Sequence, residues 1–110
     1  MTDSVEFLFD AVEFAKAIAD ETRQKIMAEC CCNRLTVSDI TPRIGVSQPT
    51  VSHHLAILRE VGLVTAEHEG RETFYSLNQA RITLCCGRLM AQFAPQQEIT
   101  QTVTQKLECC

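Results

Sequence analysis

The sequence predicts a mainly α-helical fold interrupted by one small β-hairpin, and three observations carry that expectation. Apolar residues recur at helical spacing on both sides of residues 63–77, and inside that window the pattern changes to short β-type runs around a glycine turn. Just before the window, two short helices with capping residues at their starts are separated by Gly45. A chain of 110 residues, 45% of them hydrophobic, is long enough for one domain with its own core and too short for two.

Taken in order, Val5, Leu8, Phe9 and Val12, then Ala15 and Ala19, fall on one stripe of a first helix. Asp20 suits the N-cap of a second, whose apolar Ile26 and Cys30 stand four apart and which ends around Cys32-Asn33. Thr36-Val37-Ser38-Asp39 fits a capping box, so a third helix runs to about Arg43 before Gly45 breaks it. Ser47 caps a fourth, with Pro49 in its first turn where a missing N–H costs nothing, Val51, Leu55 and Leu58 inward, and Gly62 as its stop. Leu63–Ala66 and Thr73–Leu77 then form a hairpin around His68-Glu69-Gly70-Arg71. Ile82, Cys85, Cys86, Leu89, Met90 and Phe93 mark a long helix stopping at Pro95, and Ile99, Val103, Leu107 and Cys110 lie on one side of a last one.

Two short helices around a glycine turn, followed by a hairpin, make a winged helix-turn-helix, with the helix-turn-helix at 36–62 and the wing at 63–77. With Val51, Leu55 and Leu58 buried, helical geometry turns Pro49, Ser52 and His53 outward, and Gln48 and Thr50 sit at the end that enters a major groove. Gln bonds adenine in a bidentate manner, and hydroxyls such as those of Ser47, Thr50 and Ser52 serve bases or phosphates. Arg71, beside Gly70 at the hairpin tip, reaches the neighbouring backbone or minor groove. The plain alternative is a solvated polar face with no partner. His54 lies nearer the buried side and reads as a packed histidine.

The net charge of −4 counts against nucleic acid at first, since phosphate binding is driven by Lys and Arg. Its distribution softens the objection: residues 40–59 contain Arg43, Arg59, two histidines and no acid, while acids crowd at Asp3–Glu29 and Glu60–Glu72. Affinity is expected to be salt-sensitive and to need two subunits. No targeting segment or spanning helix is read from the sequence, which leads to the expectation of a cytoplasmic protein without a membrane partner. An enzyme finds little support, for the chain lacks a nucleophile elbow, a His-Glu-x-x-His, a phosphate-cradling loop and even Cys-x-x-Cys.

Seven cysteines, an odd number and clumped as Cys30-Cys31-Cys32, Cys85-Cys86 and Cys109-Cys110, read as thiols with a ligand or redox role rather than a disulfide framework. Each clump also has a structural reading. Cys30 shares a face with Ile26 and suits the core, Cys85 and Cys86 lie on the apolar stripe of the long helix, and the terminal pair is either ligand or disordered end.

The runs Leu35-Thr-Val-Ser-Asp-Ile and Val46-Ser-Gln-Pro-Thr-Val-Ser-His-His-Leu-Ala-Ile-Leu-Arg-Glu-Val-Gly-Leu-Val resemble the ArsR/SmtB metalloregulatory repressors. The wing, Glu69-Gly-Arg-Glu-Thr-Phe-Tyr-Ser-Leu, and Ala19-Asp-Glu-Thr-Arg extend the resemblance over roughly residues 15–78. It implies a homodimer built on the first and last helices (residues 1–19 and 79–110), binding to double-stranded operator DNA without inducer, and release when a metal ion, metalloid or thiol-reactive signal is sensed.

Two known sensing sites of that family are absent. Where arsenic-type members carry Cys-x-Cys at the start of the third helix, this sequence has Thr36 and Ser38, and the first zinc pair of zinc-type members aligns with Gln79 and Arg81. What remains is an atypical site drawn from Cys31, Cys32, Cys85, Cys86, Cys109 and Cys110. Soft thiolates select arsenite, antimonite or another thiophilic ion such as Cd, Pb, Cu(I) or Zn. A redox or reactive-sulfur sensor, pairing a thiol of Cys30–Cys32 with one of Cys85–Cys86, uses the same residues and stays open as the alternative.

Overall fold

The structure, a computed structural model, describes residues 10–105, with side chains as far as Thr102. Helix α1 (Ala11–Ile18) starts at Asp10, whose carboxylate accepts from the backbone N–H groups of Val12 and Glu13 at 3.0 and 3.2 Å. Helix α2 (Glu21–Cys30) is capped by Asp20, which accepts from the Arg23 N–H at 2.9 Å. Before α3 (Val37–Ile44), the Thr36 hydroxyl accepts from the Asp39 N–H while the Asp39 carboxylate accepts from the Thr36 N–H, so the expected capping box is present. The Thr36 backbone N–H, with the Thr36 hydroxyl beside it, holds the Asp39 carboxyl below its ordinary range.

Gly45 ends α3 with φ +85°, a left-handed conformation that the absence of a Cβ permits. Ser47 then caps α4 (Gln48–Glu60), and Pro49 stands in its first turn. Ile26, Ile40, Val51, Leu55, Leu58 and Leu63 are fully buried and form one core from α2, α3, α4 and the residue entering the hairpin. Strands β1 (Val64–Glu69) and β2 (Glu72–Leu77) pair antiparallel, and Leu35 adds a bridge to Tyr75 through two backbone bonds of 3.0 and 2.7 Å. Asn78 caps α5 (Gln79–Phe93), and its side-chain amide also donates to the Gly62 carbonyl at 3.2 Å, tying the end of α4 to the start of α5. Helix α6 is Glu98–Gln105. Among the described residues no helix is long and apolar enough to cross a membrane.

Several expected faces and ends are corrected. Within the described part of α1 the buried residues are Phe14 and Ala17, whereas Val12, Ala15 and Ala19 are exposed, because the Phe14 ring offers far more area to bury than the alanines. Val5, Leu8 and Phe9 lie outside the described residues. Helix α2 stops at Cys30, two or three residues early, and the turn cluster shrinks to Gly70-Arg71 as both strands extend to pair Glu69 with Glu72. On α5 only Cys85 and Gly87 are buried; Ile82, Cys86, Leu89 and Met90 are half-buried, and Phe93 is 74% exposed. On α6 Ile99 is exposed and Thr100 is buried, so the face turned inward is one residue away from the expected one.

Arg23 joins three helices. Its Nε donates to the Ala17 carbonyl at 2.6 Å, its Nη2 to the Lys16 carbonyl at 3.1 Å, and its Nη1 meets His54 Nδ1 at 3.0 Å. Replacing it with methionine keeps the stem and strands these acceptors. Arg23→Met is expected to lower unfolding stability by about 2–3 kcal/mol, the scale of hydrogen bonds to a charged group, measured by urea denaturation; a loss below about 0.5 kcal/mol, the scatter of surface substitutions, would refute this role.

Candidate nucleic-acid interface and thiol cluster

Helix α4 divides as its sequence requires. Val51, Leu55 and Leu58 face the core, while Gln48, Pro49, Ser52 and His53 are exposed and Thr50 is half-buried. The Ser47 Oγ accepts from the Thr50 N–H at 3.3 Å and shares a hydrogen bond with the Thr50 hydroxyl at 2.8 Å, so both side chains serve the helix start. Gln48 Nε2 reaches Ser38 Oγ at 3.5 Å, linking the outer edges of α3 and α4. His53 stands edge-on to His54, ring centroids 5.6 Å apart, and His54 packs inward against Arg23, as its position in the helix predicts. Arg71 is exposed at the hairpin turn.

Charge near this edge is balanced locally. Arg43 Nη1 donates to Glu29 at 3.0 Å, and Asp39 is engaged in its capping box. On the wing, Arg34 donates to Glu67 at 3.1 Å, stands 3.4 Å from Glu69, and lies over the Phe74 ring at 4.2 Å. The bond to Glu67, with the nearby Glu69 carboxylate, raises the Arg34 guanidinium above its ordinary value. Neither Arg23 nor Arg34 was singled out as functional from sequence: their partners lie 31 and 33 residues away, and nothing periodic marks such pairs.

The thiols divide by burial. All five described cysteines are free. Cys30 is buried, and burial, with Glu29 nearby, pushes its thiol up to about 11. Burial also raises Cys85, against the pull of Arg81, and raises Cys86. Cys31 is half-buried and Cys32 exposed, with their sulfurs 3.9 Å apart. The Gln79 side-chain amide, at the start of α5, donates to the Cys31 carbonyl and stands 3.6 Å from its sulfur. Among the described residues no three His, Cys, Asp or Glu side chains converge into a group able to hold an ion. The Cys31-Cys32 pair therefore offers two donors of one chain, and a third has to come from elsewhere. Cys109 and Cys110 lie outside the described residues.

These environments fix an order of reactivity. At about pH 8 a thiol titrating near 11 carries roughly a hundredfold fewer thiolates than one of ordinary pKa. Iodoacetamide is expected to modify Cys32 first among the five described cysteines and Cys30 last, read by peptide mass spectrometry; early labelling of Cys30 in folded protein would contradict the burial argument. Because folding raises this thiol, its stabilising contribution is intact below its ordinary value of 9.0 and is lost as pH climbs toward about 11.

The profile of the family described as "Bacterial regulatory protein, arsR family" matches residues 20–66. The arsenical resistance operon repressor of Bacillus subtilis is 38% identical over 78 residues, covering 64% of this chain and 74% of that protein. The transcriptional activator HlyU of Vibrio cholerae is 38% identical over 72 residues, covering 66% of this chain and 67% of that protein. A solved homodimeric winged helix-turn-helix DNA-binding domain from Mycobacterium bovis, described as a possible ArsR-family regulator, superposes with a TM-score of 0.64 at 25% identity, covering 84% of this chain and 88% of that one. The expected fold and family are thus borne out: the chain belongs to the ArsR family of bacterial regulatory proteins and is a winged helix-turn-helix transcription regulator rather than an enzyme.

Proposed function

We propose that the protein is a homodimeric repressor that occupies a double-stranded operator and leaves it when its cysteine thiolates take up a thiophilic ion, arsenite or antimonite first among them. The observation that carries the DNA-binding half is the divided face of α4, apolar residues in the core and Gln48, Ser52 and His53 on an exposed edge. Gln48 and Ser52 are the base readers in this reading, Ser47 and Thr50 hold the helix start against phosphate, and Arg71 meets the backbone at the wing. The exposed Val12 on α1, Phe93 on α5 and Ile99 on α6 support pairing of two copies through those helices, and the M. bovis relative is itself described as homodimeric.

For the sensing half, the adjacent sulfurs of Cys31 and Cys32 are the best-exposed donors. Cys85 and Cys86, or Cys109 and Cys110, supply the third. Cys31 and Cys32 would hold a soft ion together with that third sulfur, and the regulatory step would belong to the protein: a change at the α2 end and the α5 start would take the two reading helices out of match with successive grooves. The B. subtilis relative is named for arsenical resistance, which supports a metalloid signal. Sulfurs that touch without a third ligand suit thiol oxidation as well, so the experiment separates the two chemistries.

An operator duplex is first selected by the protein from a random pool, and affinity is followed by fluorescence anisotropy. Gln48→Ala is expected to cost about 1–3 kcal/mol of binding and to relax selectivity at one base pair. Arsenite added to fully reduced protein is expected to weaken binding by roughly 5–150-fold, with Cys31→Ser/Cys32→Ser abolishing the response. Unchanged affinity in arsenite, Cd(II) and Zn(II) sinks the metalloid reading, and a covalent mass change after peroxide or polysulfide that survives chelation and releases DNA establishes the redox one.

A further inference from the structure

The hairpin expected to lie against DNA has the wrong charge for it. Between Val64 and Leu77 the chain carries Glu67, Glu69 and Glu72 against a single arginine, Arg71. The strand register sharpens the problem: Glu67 pairs with Phe74 and Glu69 with Glu72, so all three carboxylates stand on one face of the two-stranded sheet, toward its tip. A bare acidic face beside a phosphate backbone repels it, with neither counterion release nor contact to offset the repulsion.

One side chain from outside the hairpin covers that face. Arg34, in the connection between α2 and α3, lays its guanidinium 4.2 Å over the Phe74 ring, donates to Glu67 at 3.1 Å and stands 3.4 Å from Glu69. Its neighbour Leu35 bridges Tyr75 by two backbone hydrogen bonds, so the reach of Arg34 is set by the sheet itself. The guanidinium carbon sits over the Phe74 ring while Nε and Nη2 face separate carboxylates, an arrangement that suits a planar fork better than an ammonium. Such an exposed ion pair adds little to folding stability. Its consequence lies in the field that the hairpin presents.

We propose that Arg34 is the positioning residue that makes the wing compatible with DNA, neutralising Glu67 and Glu69 and holding the hairpin so that Arg71 rather than the glutamate face leads. The inference rests on the reading that the wing tip touches DNA, and goes beyond it by assigning the electrostatic work to a residue outside the wing.

Because the effect is electrostatic, a labelled mixed-sequence duplex serves as probe, with binding of the full-length protein followed at about 50 and 200 mM salt. Arg34→Gln is expected to weaken binding roughly three- to tenfold at the lower salt, with circular dichroism melting within a few degrees of the parent. Arg34→Gln combined with Glu67→Gln and Glu69→Gln is expected to recover to within about twofold of the parent, an outcome that a purely structural role for Arg34 does not give. Parental affinity for Arg34→Gln overturns the proposal, and so does a triple variant as weak as the single one. Arg71→Ala tests the underlying reading separately: weaker binding with a shallower salt slope upholds contact between wing and DNA, whereas unchanged affinity and slope remove that contact and the proposal with it.

Discussion

The Arg23 guanidinium fixes where α4 sits, and every reading of the polar edge depends on that placement. At the end of α1 the Lys16 carbonyl accepts from the Ala19 N–H at 3.3 Å; Arg23 adds a second donor there and takes the Ala17 carbonyl, while Gln24 takes the Ile18 carbonyl at 2.6 Å. The third arm of Arg23 reaches His54 at 3.0 Å, which requires Nδ1 to accept and so the ring proton to sit on Nε2. His54 is one residue from His53 and two from Ser52 along α4. A single planar cation thereby bonds α1 to α2 and α4 beside their shared apolar core. Asp20, its carboxyl held low by the backbone N–H of Arg23, steadies the same corner from the other side.

What was legible in the sequence is what depends on a few adjacent residues. The caps at Asp20, Thr36 and Ser47, the break at Gly45 and the buried face of α4 each follow from a short pattern with one physical solution. The missed features depend on distance along the chain. Arg34 meets the hairpin 33 residues on, and the face of α1 is chosen by where Phe14 finds a pocket among other elements. The stripe on α5 is apolar as its spacing predicts, but Leu89 is only half-buried and Phe93 exposed, because periodicity names a face without saying what covers it. The thiol site is legible least of all. Sequence names the sulfurs, but which of them converge is a property of tertiary and subunit geometry.

The connection from Cys31 to Leu35 joins parts that would otherwise be independent. Gln79 of α5 donates to the Cys31 carbonyl, the Cys31 and Cys32 sulfurs touch, Asn33 donates back to the Glu29 carbonyl at 3.0 Å, Arg34 lies on the wing, and Leu35 bridges Tyr75. Five consecutive residues thus contact α2, α5 and both strands of the hairpin. Few backbone rearrangements within so short a segment leave both ends in place, since its reach is limited to a few ångströms per residue. The two cysteines are thereby tied to the start of α5 by a hydrogen bond and, through Arg34 and Leu35, to the wing.

Charge accounts for how an acidic protein presents a face to a polyanion. Much of the negative charge is engaged inside the chain: Asp10 and Asp20 cap helices, Asp39 completes the capping box of α3, Glu29 meets Arg43, and Glu67 and Glu69 meet Arg34. The same pairings engage Arg43 and Arg34, so the cost falls on both signs and the edge of α4 is closer to neutral than to basic. In the function proposed above, attraction to DNA from one subunit comes from amide and hydroxyl donors at base edges and phosphates, with few cations behind it. Under that proposal a single subunit has low non-specific affinity and needs a second copy, adding its own α4 across a two-fold axis, to multiply a modest contact into a usable one. A regulator that works in this proposed way is sensitive to the spacing of its two halves, because neither half holds the duplex by charge alone.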